Sequence, residues 1–204
     1  MKPKKFKIAL ESLSNSDKTL STIIKNNGTC NLTSRKDFFN SLLEAIIGQQ
    51  LSVKAADAII SRFYAHFGHN PSPEVILGAP DGLLRSLGFS NGKVKYVKDL
   101  SLKIMNKEVV LAELDKKSDV EILNELIKVK GIGKWTVDMF LIFTLGRPNV
   151  LPTGDLALKK AVMINYKLKE MPTEEKVLKI SKKKGWAPYN SLASLYLWKS
   201  LDNK

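Results

Sequence analysis

The stretch Leu126–Phe140, LIKVKGIGKWTVDMF, limits the fold more than any other part of the chain. Two apolar segments of helical spacing flank Lys130-Gly131-Ile132-Gly133-Lys134. Glycine is costly inside a helix, so the pair marks a turn between two helices. Helical spacing recurs elsewhere, and the period-two alternation of half-buried strands is almost absent. DFFNSLLEAIIGQQ places Phe38, Leu42, Ala45 and Ile46 on one face. SVKAADAIISRFYAHFG opens with Ser52 as an N-cap and stops at Gly68. Ser118 and Glu121 form a capping box, opening a helix expected to turn Val120, Leu123, Leu126 and Ile127 inward. KWTVDMFLIFTLG is apolar on nearly all sides, so a central buried helix is expected there. The fold class expected is all-α, with roughly ten helices, short connections and no repeat.

At 204 residues the chain is long enough to bury a real core. No apolar run reaches the roughly 20 residues that cross a bilayer, so no membrane partner is expected. The basic start MKPKKFKIALES has too short an apolar stretch for a signal peptide, and a reducing compartment is expected. A single cysteine, Cys30, rules out an internal disulfide, a four-cysteine iron–sulfur cluster and a four-cysteine zinc site. His66 and His69, at one helix end, are weak grounds for a metal. The formal net charge of +13 favours a polyanion as partner. The dense run Ser181–Gly185, SKKKG, reads as a solvated helix end.

The glycine turn has two readings. It can be a plain reversal between helices. It can also leave the amides of Gly131, Ile132 and Gly133 open to a phosphate, at the positive start of the second helix. Lys130, Lys134 and the Thr136 hydroxyl would then add contacts that fix position without reading sequence.

LIKVKGIGKWTVDMFLIF resembles the helix-hairpin-helix of DNA repair glycosylases, the HhH-GPD superfamily, in which a Gly-hydrophobic-Gly turn grips a DNA strand. In that superfamily a Gly/Pro-rich loop and an aspartate follow, and LGRPNVLPTGDLALKKA puts Asp155 in that place. EAIIGQQLSVKAADAIISRF, LLRSLGFSNGKVKYVKDLS and GWAPYNSLASLYLWKS resemble the branch of 3-methyladenine DNA glycosylases of the bacterial inducible and fungal type. The resemblance covers nearly the whole chain and implies one two-lobed catalytic unit over residues 1–204. Lobe one would span about 37–146 and end with the hairpin; lobe two would combine 1–36 with 147–204.

The resemblance also implies roles. Lyase members carry a lysine two residues after the second glycine; here that residue is Trp135, and Lys134 is one helical step of about 100° away. A monofunctional glycosylase without strand-cleaving lyase activity follows. Asp155 would be the catalytic carboxylate, beside the sugar carbon that gains positive charge; its plain alternative is an N-cap. Trp135, Trp198, Met139 and Tyr189 would form a base pocket that stacks a cationic purine such as 3-methyladenine or 7-methylguanine. Core packing is the plain alternative for any single tryptophan, Trp186 included. Gln50, with Leu51 beside it, occupies the wedge position that fills the gap left by a flipped base; the plain alternative is that Gln49 and Gln50 cap the preceding helix. No catalytic cofactor is expected. A structural Na+ or K+ at the carbonyls of Ile127, Val129 and Gly131 is implied when DNA is bound. Asn190 stands where the family often has arginine, which removes one cationic contact. The partner implied is double-stranded DNA with alkylated bases, met by a monomer in the cytoplasm or nucleoid of a prokaryote, or in a nucleus. Two other functions remain open: a DNA-binding hairpin module without catalysis, and a glycosylase for deaminated or other damaged bases.

Overall fold

The computed structural model describes residues 3–201. Among them are twelve α-helices and no strand, as the periodicity predicts. The chain divides into two compact units.

One unit is continuous, Arg35–Phe140. It contains α3 (Phe38–Gly48), α4 (Val53–Phe67), α5 (Pro73–Gly78), α6 (Asp81–Ser86), α7 (Asn91–Met105), α8 (Asp119–Leu126) and α9 (Lys134–Met139). α3 buries Leu42, Leu43, Ile46 and Ile47. α4 starts on Ser52, whose hydroxyl accepts from the Ala55 amide, and stops at Gly68, where φ is +77°.

The Ser118–Glu121 capping box is present, with the Ser118 amide donating to Glu121 at 2.7 Å and the Glu121 amide donating to the Ser118 hydroxyl at 3.3 Å. The inward face of α8 differs from expectation. Ile122 and Leu126 are fully buried, whereas Val120 is 66% and Ile127 48% exposed. The box fixes where the helix begins. That sets its phase so that the i,i+4 pair Ile122/Leu126 faces the core.

The second unit joins the described residues up to Ser34 with those from Leu141 onward. It contains α1 (Pro3–Ser16), α2 (Lys18–Asn26), α10 (Leu156–Asn165), α11 (Glu174–Lys183) and α12 (Asn190–Lys199). Its central helix is α12, which buries Leu192, Ala193, Tyr196 and Leu197. The expected long helix over KWTVDMFLIFTLG does not form as such. α9 ends at Met139, and Phe140–Thr144 continues as a π-helical turn. The wider turn carries one more residue than an α-turn, which breaks the all-round apolar register and leaves Phe143 half exposed.

Asp17 anchors this unit. Fully buried at the N-cap of α2, it accepts from the amides of Thr19 and Leu20, from the Tyr166 hydroxyl at 2.5 Å and from the Trp186 indole N–H at 2.9 Å. Desolvation by burial, then the hydrogen bond to Asp17, raise the Tyr166 phenol well above its ordinary value. Trp186 is therefore a core residue with a satisfied indole.

Candidate active site

In the Arg35–Phe140 unit the hairpin is α8, the glycine turn and α9. Gly131 has φ +81°, and a Cβ there would meet the Tyr96 ring at 2.2 Å. Glycine is required twice over at that position, by dihedral and by space. Gly133 is different: its backbone is extended, at φ −108° and ψ −179°, and a Cβ would meet nothing within 4 Å. Only one of the two glycines is conformationally demanded; the other leaves the backbone bare. Ile132 plugs inward at 5% exposure.

Both flanking lysines have carboxylate partners. The Lys130 amide donates to Asp99 Oδ2 at 2.8 Å, and its ammonium lies 3.8 Å from Oδ1. Lys134 is paired with the buried Asp138 at 2.6 Å. The Thr136 hydroxyl points inward and accepts from Gln49 Nε2 at 3.0 Å. What the turn presents outward is thus mainly backbone: the exposed Gly131 and Gly133, and the first amides of α9, which have no intrahelical partner. Trp135 and Met139, one turn apart on α9, are both half-buried and share a face.

The α3–α4 turn belongs to the same unit. Gln50 is exposed and has φ +57°, a left-handed conformation that a non-glycine residue adopts only when its surroundings hold it there. Leu51 beside it is 38% exposed.

In the second unit Asp155 is 8% exposed and caps α10. Its Oδ1 accepts from the Leu158 amide at 2.6 Å and from the Trp198 indole at 2.8 Å. The Trp198 ring lies nearly parallel to Phe143, with centroids 5.7 Å apart and 25° between planes. The loop before Asp155 is pinned by α12. Ser191 donates to the Arg147 carbonyl at 2.6 Å and accepts from the Val150 amide at 2.9 Å. Asn190 donates to Asn149 at 2.7 Å and accepts from Ser181 at 2.6 Å. Where an arginine would reach outward, this asparagine is buried and fixes the loop. Tyr189 is half-buried at the start of α12.

The structure thus brings Asp155 and Trp198 together, and groups Trp135 with Met139. It also shows residues that sequence reasoning passed over: Tyr96 and Asp99 around the hairpin, and Phe143 against Trp198. Gln49, readable only as a cap of the preceding helix, is that C-cap and also reaches the hairpin.

The family model for HhH-GPD superfamily base excision DNA repair proteins matches residues 43–187. The chain belongs to that superfamily. It is 37% identical to YfjP of Bacillus subtilis (strain 168) over 191 residues, 90% of this chain and 66% of that protein, so it spans just under two thirds of YfjP. It is 32% identical to the alkylbase DNA glycosidase-like protein mag2 of Schizosaccharomyces pombe, over 95% of this chain and 92% of that protein. The solved complex of Schizosaccharomyces pombe 3-methyladenine DNA glycosylase Mag1 with abasic DNA superposes with a TM-score of 0.88 at 33% identity. That match covers 95% of this chain and 96% of Mag1. The helix-hairpin-helix of this chain is the α8–α9 pair.

Proposed function

We propose that this HhH-GPD protein is a monofunctional DNA glycosylase that hydrolyses the N-glycosidic bond of alkylated purines, 3-methyladenine and 7-methylguanine, after flipping them out of the duplex. The observation that carries the reading is the Asp155 carboxylate, held by the Leu158 amide and the Trp198 indole. Breaking an N-glycosidic bond builds positive charge on the sugar. A preorganised carboxylate stabilises that charge without reorienting as it forms. The bond's electron pair neutralises the cationic purine as it leaves. A water oriented by Asp155 bonds to the sugar carbon and gives up its proton to the carboxylate or to solvent. An alkylated purine is already a good leaving group, so no strong general acid is needed. Selection falls to stacking of the cationic ring on an aromatic face, that of Trp198 beside Asp155.

Trp135 supports the absence of lyase chemistry, because it brings no amine to the position where a Schiff base would form. The neighbouring Lys134 is tied to Asp138, one turn along the same helix, at 2.6 Å. The exposed hairpin backbone at Gly131 and Gly133 would hold the phosphates, and Gln50 with Leu51 would fill the gap. The carbonyls of Ile127, Val129 and Gly131 are oxygen donors of the kind hard cations favour. The Val129 carbonyl accepts from the Ile132 amide and the Gly131 carbonyl from Gln49, and each keeps a second lone pair. The donor set fits a Na+ or K+, which would add positive charge beside the phosphate. The protein would act as a monomer on duplex DNA.

The test is release of free base from methylated DNA, with abasic strands staying intact until alkali is added. Strand scission without alkali would defeat the monofunctional reading. DNA binding that survives Asp155→Asn, with no base released even by the wild type, would mark a binding module. Release of hypoxanthine or ethenoadenine but not of methylated purines would shift the substrate class. Binding should weaken as salt rises, by about 3.5-fold per neutralised phosphate for a fourfold increase.

A further inference from the structure

One side chain ties the α3–α4 turn to the hairpin. Gln49 is the C-cap of α3, and its Nε2 donates to the Gly131 carbonyl at 2.8 Å and to the Thr136 hydroxyl at 3.0 Å. One acceptor lies in the glycine turn and the other in the first turn of α9, so a single amide group ties the turn to the start of the second hairpin helix. Each of its two N–H groups has its own acceptor. The next residue is the exposed, left-handed Gln50. That conformation is strained for glutamine and persists only if the turn is held at both ends. On the α3 side the buried Lys93 ammonium donates to the Ile47 carbonyl at 2.7 Å, and the Leu51 amide closes the turn on the Gly48 carbonyl at 3.2 Å. On the hairpin side the tie is Gln49.

We propose that Gln49 is a positioning residue for base flipping. It locks the Gln50 turn to the phosphate-gripping hairpin, so that a strand held at Gly131 and Gly133 is already in register with the side chain that enters the gap. This rests on the glycosylase reading above. The hairpin's own supports, Tyr96 beneath Gly131 and Asp99 on Lys130, do not involve Gln49, and neither do the buried α3 residues Leu42, Leu43, Ile46 and Ile47. Gln49 is half-buried, so replacing it opens no core cavity. Its loss should therefore leave fold and hairpin intact and uncouple gripping from extrusion. Small misplacements of a group that must enter a fixed gap are expensive in rate.

The experiment compares wild type, Gln49→Ala, Gln49→Met and Gln50→Ala. Methionine keeps the length and neutrality of glutamine but has no N–H. Extrusion is read from the fluorescence of 2-aminopurine beside an abasic-site analogue, and excision from single-turnover release of 7-methylguanine. Binding to undamaged duplex and thermal melting are followed alongside. For both Gln49 variants, extrusion and excision should fall about tenfold, with the melting temperature unchanged and undamaged-duplex affinity within about twofold of wild type. Adding Gln49→Met to Gln50→Ala should cost little further, because the bridge acts through Gln50. A Gln49→Met protein that extrudes like wild type would overturn the proposal. So would affinity for undamaged DNA that falls in step with extrusion, since the bridge would then only shape the hairpin. If the wild type releases no base, the glycosylase reading fails; the fluorescence arm needs no chemistry and still decides the coupling.

Discussion

The indole N–H of Trp198 and the main-chain N–H of Leu158 converge on the same oxygen of Asp155, at 2.8 and 2.6 Å. A carboxylate held this way is oriented before any substrate arrives, which is what transition-state stabilisation requires. Two substitutions separate charge from orientation. Asp155→Asn keeps a good N-cap, so α10 should persist, while the charge proposed to oppose the sugar cation is lost. Excision should fall by about a hundredfold or more with little change in melting temperature. Trp198→Phe keeps an aromatic ring beside Phe143 and removes the donor to Asp155 together with part of the stacking face. Its excision rate should fall about tenfold, the cost of one charge-assisted hydrogen bond. Single-turnover rates on methylated DNA, read beside duplex affinity, check both.

Asp17 should be the most costly carboxylate to remove for stability. It is fully buried and accepts from two amides, a phenol and an indole. Asp17→Ala leaves the Tyr166 and Trp186 donors buried without their partner and opens the N-cap of α2. The expected loss is about 3–5 kcal/mol, measured by urea unfolding. A loss under about 1 kcal/mol would show that water replaces the carboxylate easily.

Much of this was legible in the sequence, and what was not shares a physical cause. Helices and their starts are local: Ser52 and the Ser118–Glu121 box follow from a few adjacent residues, and both form. The phase of α8 needs the identity of the facing core, so Val120 and Ile127 could be assigned inward although they point out. Gly131 and Gly133 are the same letter, yet one has a positive φ and the Tyr96 ring against it, while the other is extended and open. Gln49 and Gln50 are likewise indistinguishable as letters. One reaches a carbonyl 82 residues away and the other stands in solvent. Phe143 was hidden because the π-turn that exposes it breaks the helical period on which the reading depended. Asp17 carried a usable signal, an aspartate ahead of the apolar helix Lys18–Asn26, but nothing local shows that it is buried.

Lys93 supplies a prediction in pH. Burial pushes its amine below the ordinary value of 10.5, and its ammonium donates to the Ile47 carbonyl. Below the folded-state pKa both states hold the proton and Lys93 adds no slope. Between that pKa and 10.5 the unfolded chain holds more protons than the folded one, so stability relative to Lys93→Met should rise with pH and level off above it. Urea midpoints of the two proteins across the alkaline range test this. A difference that falls as pH rises would mean that the amine is stabilised as a cation, contrary to a burial-dominated shift.

The two hairpin glycines should fail in different ways. In Gly131→Ala the new methyl meets the Tyr96 ring at 2.2 Å on a backbone at φ +81°. Both effects oppose folding of the turn, and a loss of about 2–3 kcal/mol is expected, together with loss of DNA binding. In Gly133→Ala the methyl enters open space on an extended backbone, so melting should be unchanged. The same methyl would stand over amides proposed to meet a phosphate, and duplex affinity should fall about tenfold with a shallower salt dependence. Melting and salt-titrated duplex binding of the two variants, measured side by side, separate a glycine needed for the fold from a glycine needed for contact. Unchanged DNA affinity in Gly133→Ala would move the phosphate grip away from this turn.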